Sequence, residues 1–574
     1  MNEWLPLFLP DDPSEARRVF NELPLKSQVD LLLQCRGKER LRILFLSDRP
    51  EQLVEHLPEL EVFLTIKEAG ESDAAELIAL TTPDQFQYLL DLNLWKKDVL
   101  DTEKVLRWME ILLQCGMEKV SQFIQHAETG LIALILRRFL RVMVFEGEPV
   151  ETAKRFSLFT LDQFFFVQFA TEEARKTLQP FLERLYLVNP ELYRRIMEAS
   201  IWEIASELEE EEYRLKNARL ADFGFPALNE ALEIYRFVPP DSAASEKKKP
   251  VSPRGAFSEK GCPTYYLTFR HEGPFFSSVL SKVVDRDDQN RLKEELTALC
   301  NKALIAEALE AFTLEEMSRV ARRVFHMLNL GLETISRKDE ARALDLLLSL
   351  PLQRVFQSGV SMTLLLRRKA STILNGSWFG GDQGNLVFLD SPFLETMGGL
   401  LRKRPVLYEQ ATFRDFETLG DVRAAEGVLK SVDAIVGVVG KTLALHPQTL
   451  KQLDLTSCHP TEWREITFST IFLTALANQV LHGVFRFEAI DQREIEVLLS
   501  RVLEEGKHGR KGVTMDIRRG LKEWLDSIEN EEERRQHLLA FWDFCLDLFV
   551  EEFGRVPTEE TIDARYVKGL LIRG

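Results

Sequence analysis

Gly440, Lys441 and Thr442 close the apolar stretch DAIVGVVGKT with the three residues that end a phosphate-binding loop. Such a loop needs Gly-x-x-x-x-Gly-Lys-Ser/Thr, because that length lets successive backbone N–H groups curl around a phosphate, and it follows a strand and opens a helix. Five residues before Gly440 stands Ile435, and the nearer Gly437 leaves only two residues between. Upstream, Val422, Ala425, Val428, Leu429, Val432, Ile435, Val436 and Val439 recur at helical spacing. The pattern predicts a helix that stops at Gly440 in the left-handed conformation, with Lys441 at its negative end and Pro447 barring continuation. A strand through AIVGVVG is the alternative. Its acidic strand would be NLVFLD, but Asp390 comes before the lysine and not after it.

The second candidate is ELEEEEYRLK, residues 207–216, with five glutamates in six positions. Glu207, Glu210 and Glu211 share a helix face and could hold a hard cation through water, as carboxylate oxygens do for magnesium. The plainer reading makes Glu210–Arg214 and Glu212–Lys216 i,i+4 ion pairs on a solvated face. That reading is favoured, because no loop presents several oxygens at once.

Other constellations lack the spacing that chemistry demands. Cys458-His459 has no second ligand pair at zinc spacing, and no His-Glu-x-x-His occurs. GSWFGGDQGN, residues 376–385, is a glycine-rich loop without a basic residue to meet a phosphate. RLADFGFPALNEALEIY reads as two helices about a Gly224-Phe225-Pro226 turn. As a DNA-reading hairpin it would offer Asn229, Glu230 and Glu233 to phosphates, so a packed helical hairpin is preferred. No catalytic, cofactor or metal residue is assigned, and the chain is expected to be non-catalytic and to carry no cofactor.

The elements that must position these residues are helices. LPLKSQVDLLLQ (23–34), LPELEVFLTIKE (57–68) and TPDQFQYLLDLN (82–93) each open on proline in a first helical turn, where the missing N–H costs nothing. Between them GKERLRILFLS, DRPEQLVEHL and ESDAAELIALT carry leucines at helical spacing. Short helices in degenerate repeat predict an all-α superhelical bundle at the amino terminus. Further helical domains follow, with NLVFLD (385–390) and GVFRFEAI (483–490) as short extended segments. The expected boundaries are 1–145 for the superhelix, 146–238 for a helical extension with the hairpin, 239–263 for a linker and 264–574 for a helical region of two subdomains. The linker holds five prolines and the Lys247-Lys248-Lys249 run.

Residues 15–145, and above all DRPEQLVEHLPELEVFLTIKEAGESDAAELIALTTPDQFQYLLDLNLW, resemble the cytosolic amino-terminal domain of MgtE-type magnesium transporters. The resemblance implies a superhelix of short helices. It does not bring transport, since the chain has neither a span nor the paired nucleotide-sensing domains. YRLKNARLADFGFPALNEALEIY (213–235), RVFQSGVSMTLLLRRKA (354–370) and SPFLETMGGLLRKRPVLYE (391–409) make the chain similar to a bacterial family of unknown function that carries such a region. That family implies an architecture and no catalytic residues.

Composition bounds the function. The 574 residues are 45% apolar and 29% charged, with 38 Phe against 10 Met, which is a globular chain with well-filled cores. A net charge of −18 disfavours nucleic acid and anionic lipid. The six cysteines (Cys35, Cys115, Cys262, Cys300, Cys458, Cys545) are scattered, unlike a secreted disulfide framework. The first twenty residues lack a signal peptide's basic start, and LIALILRRFLRVMVF and ITFSTIFLTALANQVL are too short to span a bilayer. The expectation is a cytoplasmic scaffold, adaptor or regulatory protein that holds a protein partner. The alternative is a sensor of a divalent cation or nucleotide, using the acidic helix or the Gly437–Thr442 turn.

Overall fold

The computed structural model describes residues 13–96, 98–144, 158–239, 263–307, 312–505, 511–554 and 563–574. Residues 1–12, Cys262 and all of the expected linker but its two ends lie outside them. Helices make up most of the described residues, as expected for an all-α chain, and the strands form small sheets of two or three. No helix among the described residues is long and apolar enough to cross a membrane. Contacts divide the chain into two units, Met1–Gln357 and Ser358–Gly574.

The first unit begins with α1 (Pro13–Glu22), α2 (Leu25–Gln34), α3 (Gly37–Leu44), α4 (Pro50–His56), α5 (Glu59–Ala69), α6 (Ala75–Leu80) and α7 (Pro83–Asn93). Pro83 is the first residue of α7, whereas Pro24 and Pro58 stand one place earlier, as the caps of α2 and α5. After them come α8 (Thr102–Gln114), α9 (Met117–His126) and α10 (Thr129–Phe139).

Helices this short leave many terminal carbonyls unpaired, and the sequence supplies a buried side chain for each of several ends. Gln28 Nε2 on α2 donates to the carbonyls of Phe20 (2.9 Å) and Leu23 (3.0 Å), at the end of α1. Arg40 Nε on α3 reaches Leu32 O (2.8 Å) and Cys35 O (2.9 Å), at the end of α2. Gln85 Nε2 on α7 reaches Val54 O (2.7 Å) and Leu57 O (2.9 Å), at the end of α4, and Lys119 Nζ on α9 reaches Thr81 O past the end of α6. These polar residues sit inside because each meets an orphan acceptor there.

Arg40 also pairs with Glu61 at 2.7 Å, both side chains being almost wholly buried. Glu61 Oε1 in turn accepts the N–H groups of Thr264 (2.7 Å) and Tyr265 (3.1 Å). The chain thus returns after the linker to the helices before it. Residues 263–357 belong with them to the first unit.

The unit continues with α11 (Glu172–Val188), α12 (Pro190–Trp202), α13 (Ala205–Asp222), α14 (Leu228–Leu232), α15 (Pro274–Leu280), α16 (Arg286–Ala306), α17 (Leu314–Ser336) and α18 (Glu340–Ser349). α10, with Leu131 to Leu136 all buried, packs on α12 and α13; α17 is buried along most of its length between α15, α16 and α18. The α13–α14 hairpin is as expected: Gly224 takes φ 79°, and the Phe223 ring packs edge-on against Tyr88 at 4.8 Å. The division falls within α19 (Leu352–Leu374).

In the second unit, α20 (Phe393–Leu400) and α21 (Leu419–Lys441) precede the apolar α22 (Phe468–His482), which is buried from Phe468 to Asn478. α23 (Ile495–Val502) and α25 (Glu532–Phe553) pack on α22, α21 packs on α25, and α24 (Met515–Ile528) lies against α25. NLVFLD is not a strand: Gln383–Phe388 is a 3-10 turn, and Asp390 accepts the Ser469 N–H (2.9 Å) at the start of α22. Of GVFRFEAI only Ile490 enters a strand, Ile490–Asp491, which lies parallel to Ile572–Arg573; that last strand also pairs antiparallel with Cys458–His459.

Candidate functional site

The most unusual chemistry lies on α13. Its buried residues are Leu208, Glu212, Lys216 and Leu220, a stripe of period four whose two middle members are charged. Leu208 and Leu220 must face the core, and a straight helix carries 212 and 216 inward with them. The expected solvated pair Glu212–Lys216 is therefore buried, and the two side chains turn to different neighbours. Glu210–Arg214 is also absent; Arg214 meets Glu211 at 3.9 Å.

Glu212 is 2% exposed, and its Oε2 has no hydrogen-bond partner among the described residues. Its Oε1 lies where a side chain at Gly130 would point: a Cβ there would be 2.3 Å from it. Glycine in the first turn of α10 is thus what admits the carboxyl. Burial pushes the Glu212 carboxyl up to about 7; Arg219 opposes this, while Glu128, Asp91 and Glu211 add to it.

Lys216 places Nζ over the rings of Tyr213 (4.9 Å) and Trp95 (5.4 Å), with no carboxylate at ion-pair distance among the described residues. Burial brings its ammonium down to about 8, against the pull of Asp91. Asp91 on α7 accepts both arms of Arg219, Nε to Oδ2 at 2.8 Å and Nη2 to Oδ1 at 2.9 Å, and Gln87 Nε2 at 2.9 Å. Burial still holds the Asp91 carboxyl above its ordinary range. Arg219 also lines a cavity of about 160 Å³ with Asp84, Gln87, Gln122, His126 and Glu128. The arrangement places a carboxyl and an ammonium whose pKa values burial moves toward neutrality on one buried helix face. It offers no nucleophile beside a base.

The remaining sequence candidates come apart. Glu207, Glu210 and Glu211 point to solvent, and no three His, Cys, Asp or Glu converge as metal ligands among the described residues. α21 runs through Gly440 to Lys441, one residue past the expected stop. The left-handed residue is Ala444 (φ 54°), and Gly440 is small because Trp378 packs on it, 3.2 Å from where a Cβ would stand. Gly437 is likewise covered, by Arg534 Nη2. The Gly-Lys-Thr turn is a helix carboxyl end, where carbonyls and not N–H groups are free, so it does not form a phosphate cradle.

Sequence reasoning missed two further concavities. One, of about 300 Å³, opens beneath the Gly224–Pro226 turn in the first unit. Another, of about 410 Å³, runs along α21 and α25 in the second, where Ser431 Oγ and His537 Nδ1 are 3.0 Å apart. Only the charges on the α13–α14 hairpin hinted at the former.

Compared with known proteins, residues 17–573 match the model of a family of unknown function. No curated protein and no solved structure matches the chain.

Proposed function

The chain belongs to that family, DUF6178, and from that premise we propose that it is a non-catalytic helical scaffold or adaptor that holds another protein in the cytoplasm. The observation that supports this is an apolar knob at the end of α12. Trp202 and Ile204 are 65% and 58% exposed, and Glu203 between them has its carbonyl held by Arg137. Tryptophan is one of the residues enriched among interface anchors. The repeated capping of one short helix by a later one is in keeping with a superhelical, MgtE-like amino-terminal region, whose ridged surface suits the same use. The test is affinity capture of the tagged protein from its own cells, with magnesium and with chelator, beside a Trp202→Ala, Ile204→Ser variant. A stoichiometric partner lost in the variant supports the scaffold. Purified protein that turns over a metabolite, with the activity lost on a point substitution, overturns it.

A second reading, a sensor of a divalent cation or nucleotide, draws support from Glu212 alone. A buried carboxyl without a partner favours the cation over the nucleotide. A saturable magnesium-dependent rise in melting temperature that Glu212→Gln abolishes would favour it over the scaffold.

A further inference from the structure

The cavity of about 300 Å³ in the first unit is bounded by the α13–α14 turn, by α16 and by the start of α19, and its size is at the lower end for small-molecule sites. Its walls are apolar at Pro226, Ala298, Leu299 and Pro351. Its polar groups are Glu230, Glu295, Lys302 and Gln353, so both signs of charge face one small space.

The charges differ in how well they are satisfied. Glu295 is nearly buried and complete: one oxygen accepts Arg291 Nη1 at 2.8 Å, the other the N–H of Leu352 at 2.7 Å. Lys302 and Glu230 are not. Lys302 Nζ has only Gln353 Oε1 at 3.2 Å and Glu230 Oε1 at 3.4 Å among the described residues, and Glu230 has only Lys302. Charge-assisted bonds of this kind close to about 2.7–2.9 Å, and an ammonium has three donors to place. The pair touches at a longer distance than that, and with the Glu230 side chain 57% exposed at the edge of the cavity it is open to exchange.

We infer that this cavity binds a small zwitterion, a free α-amino acid, its carboxylate on Lys302 and its ammonium between Glu230 and Glu295. An anion alone would meet two carboxylates and leave Glu230 unpaired. A cation alone would leave Lys302 unpaired. A molecule bearing both groups inserts between the two, gives each an opposite charge, and lays its side chain against Pro226, Leu299 and Pro351. The site is separate from the α12 knob, so its test does not depend on the scaffold reading.

The experiment is calorimetric titration and thermal denaturation of the full chain with the twenty amino acids singly. N-acetyl amino acids, which lack the ammonium, and amino-acid amides, which lack the carboxylate, serve as controls. At least one amino acid should bind saturably at millimolar concentration or below, its N-acetyl and amide forms about tenfold or more weaker, as loss of one charged partner implies. Lys302→Met and Glu230→Gln should each weaken binding similarly; both sites reach the surface, and an unchanged circular dichroism spectrum shows that the fold persists. Absence of binding by every amino acid overturns the inference, as does an N-acetyl form that binds as well as its parent.

Discussion

Replacing Glu212 by glutamine should stabilise the protein, and by an amount that depends on pH. A carboxyl whose folded pKa is raised holds its proton more tightly in the folded state. It therefore costs nothing well below its ordinary value of 4.5, costs progressively more up to about 7, and adds nothing further above. A rise of that size corresponds to about 3 kcal/mol once both states are ionised. Glutamine has nearly the same shape and cannot ionise, so Glu212→Gln should gain about 1 kcal/mol at pH 5 and about 3 kcal/mol at pH 7.5. Lys216 does not disturb the comparison: its lowered pKa of about 8 costs a constant amount below pH 8 and is relieved only as pH rises toward 10.5. Urea unfolding of both proteins at the two pH values measures the difference, and amide exchange in α10 and α13 locates it. A variant no more stabilised at pH 7.5 than at pH 5 would refute the burial argument, as would one destabilised at both.

Gly130→Ala should cost about 1–3 kcal/mol, because the new Cβ meets Glu212 Oε1. In a Glu212→Ala background the same change should cost clearly less, since only the Leu208 side chain is left to give way and alanine is favoured in a helix, and a double-mutant cycle in urea measures the coupling. Arg40→Ala should cost about 3–5 kcal/mol by removing the charge partner of Glu61 and the side-chain donor of the Cys35 carbonyl; a calorimetric melt reads it, and a loss below about 1 kcal/mol would show the pair to be dispensable. Lys441→Ala, at an exposed carboxyl end, should change stability by less than about 0.5 kcal/mol. Neither it nor the parent should gain melting temperature with millimolar ATP, and a shift that vanished in the variant would restore the phosphate-loop reading.

Periodicity and proline position made the helices legible, because a helix states its burial face locally. Pro24, Pro58 and Pro83 marked three helix starts to within a residue. What decided the site was not local. Glu212 and Lys216 form, on paper, an ideal solvated i,i+4 pair; only the phase set by Leu208 and Leu220 turns them inward, and only Gly130, on another helix, makes room. Gln28, Arg40, Gln85 and Lys119 read as surface polar residues until the carbonyls they serve are known. The Gly-Lys-Thr turn shows the opposite error, where a local rule placed the left-handed residue at glycine although close packing with Trp378 explains that glycine better. The division at Gln357 was hidden because Thr264 and Tyr265 bond to Glu61 some two hundred positions earlier.

The borrowed caps bear on how the amino-terminal helices could be cut or copied. The end of α4 is closed by Gln85, and the end of α2 by Arg40. A fragment that stops between Leu57 and Gln85 leaves the Leu57 carbonyl without its Gln85 donor and the Val54 carbonyl with the Leu57 N–H alone, an expense borne by residues that were never removed. Such truncations should fray backwards from the cut. A stable fragment ends only after the helix that carries the last required cap, and for α6 that helix is α9. The unit of inheritance in this region is an interlocked run of helices, longer than any single pair.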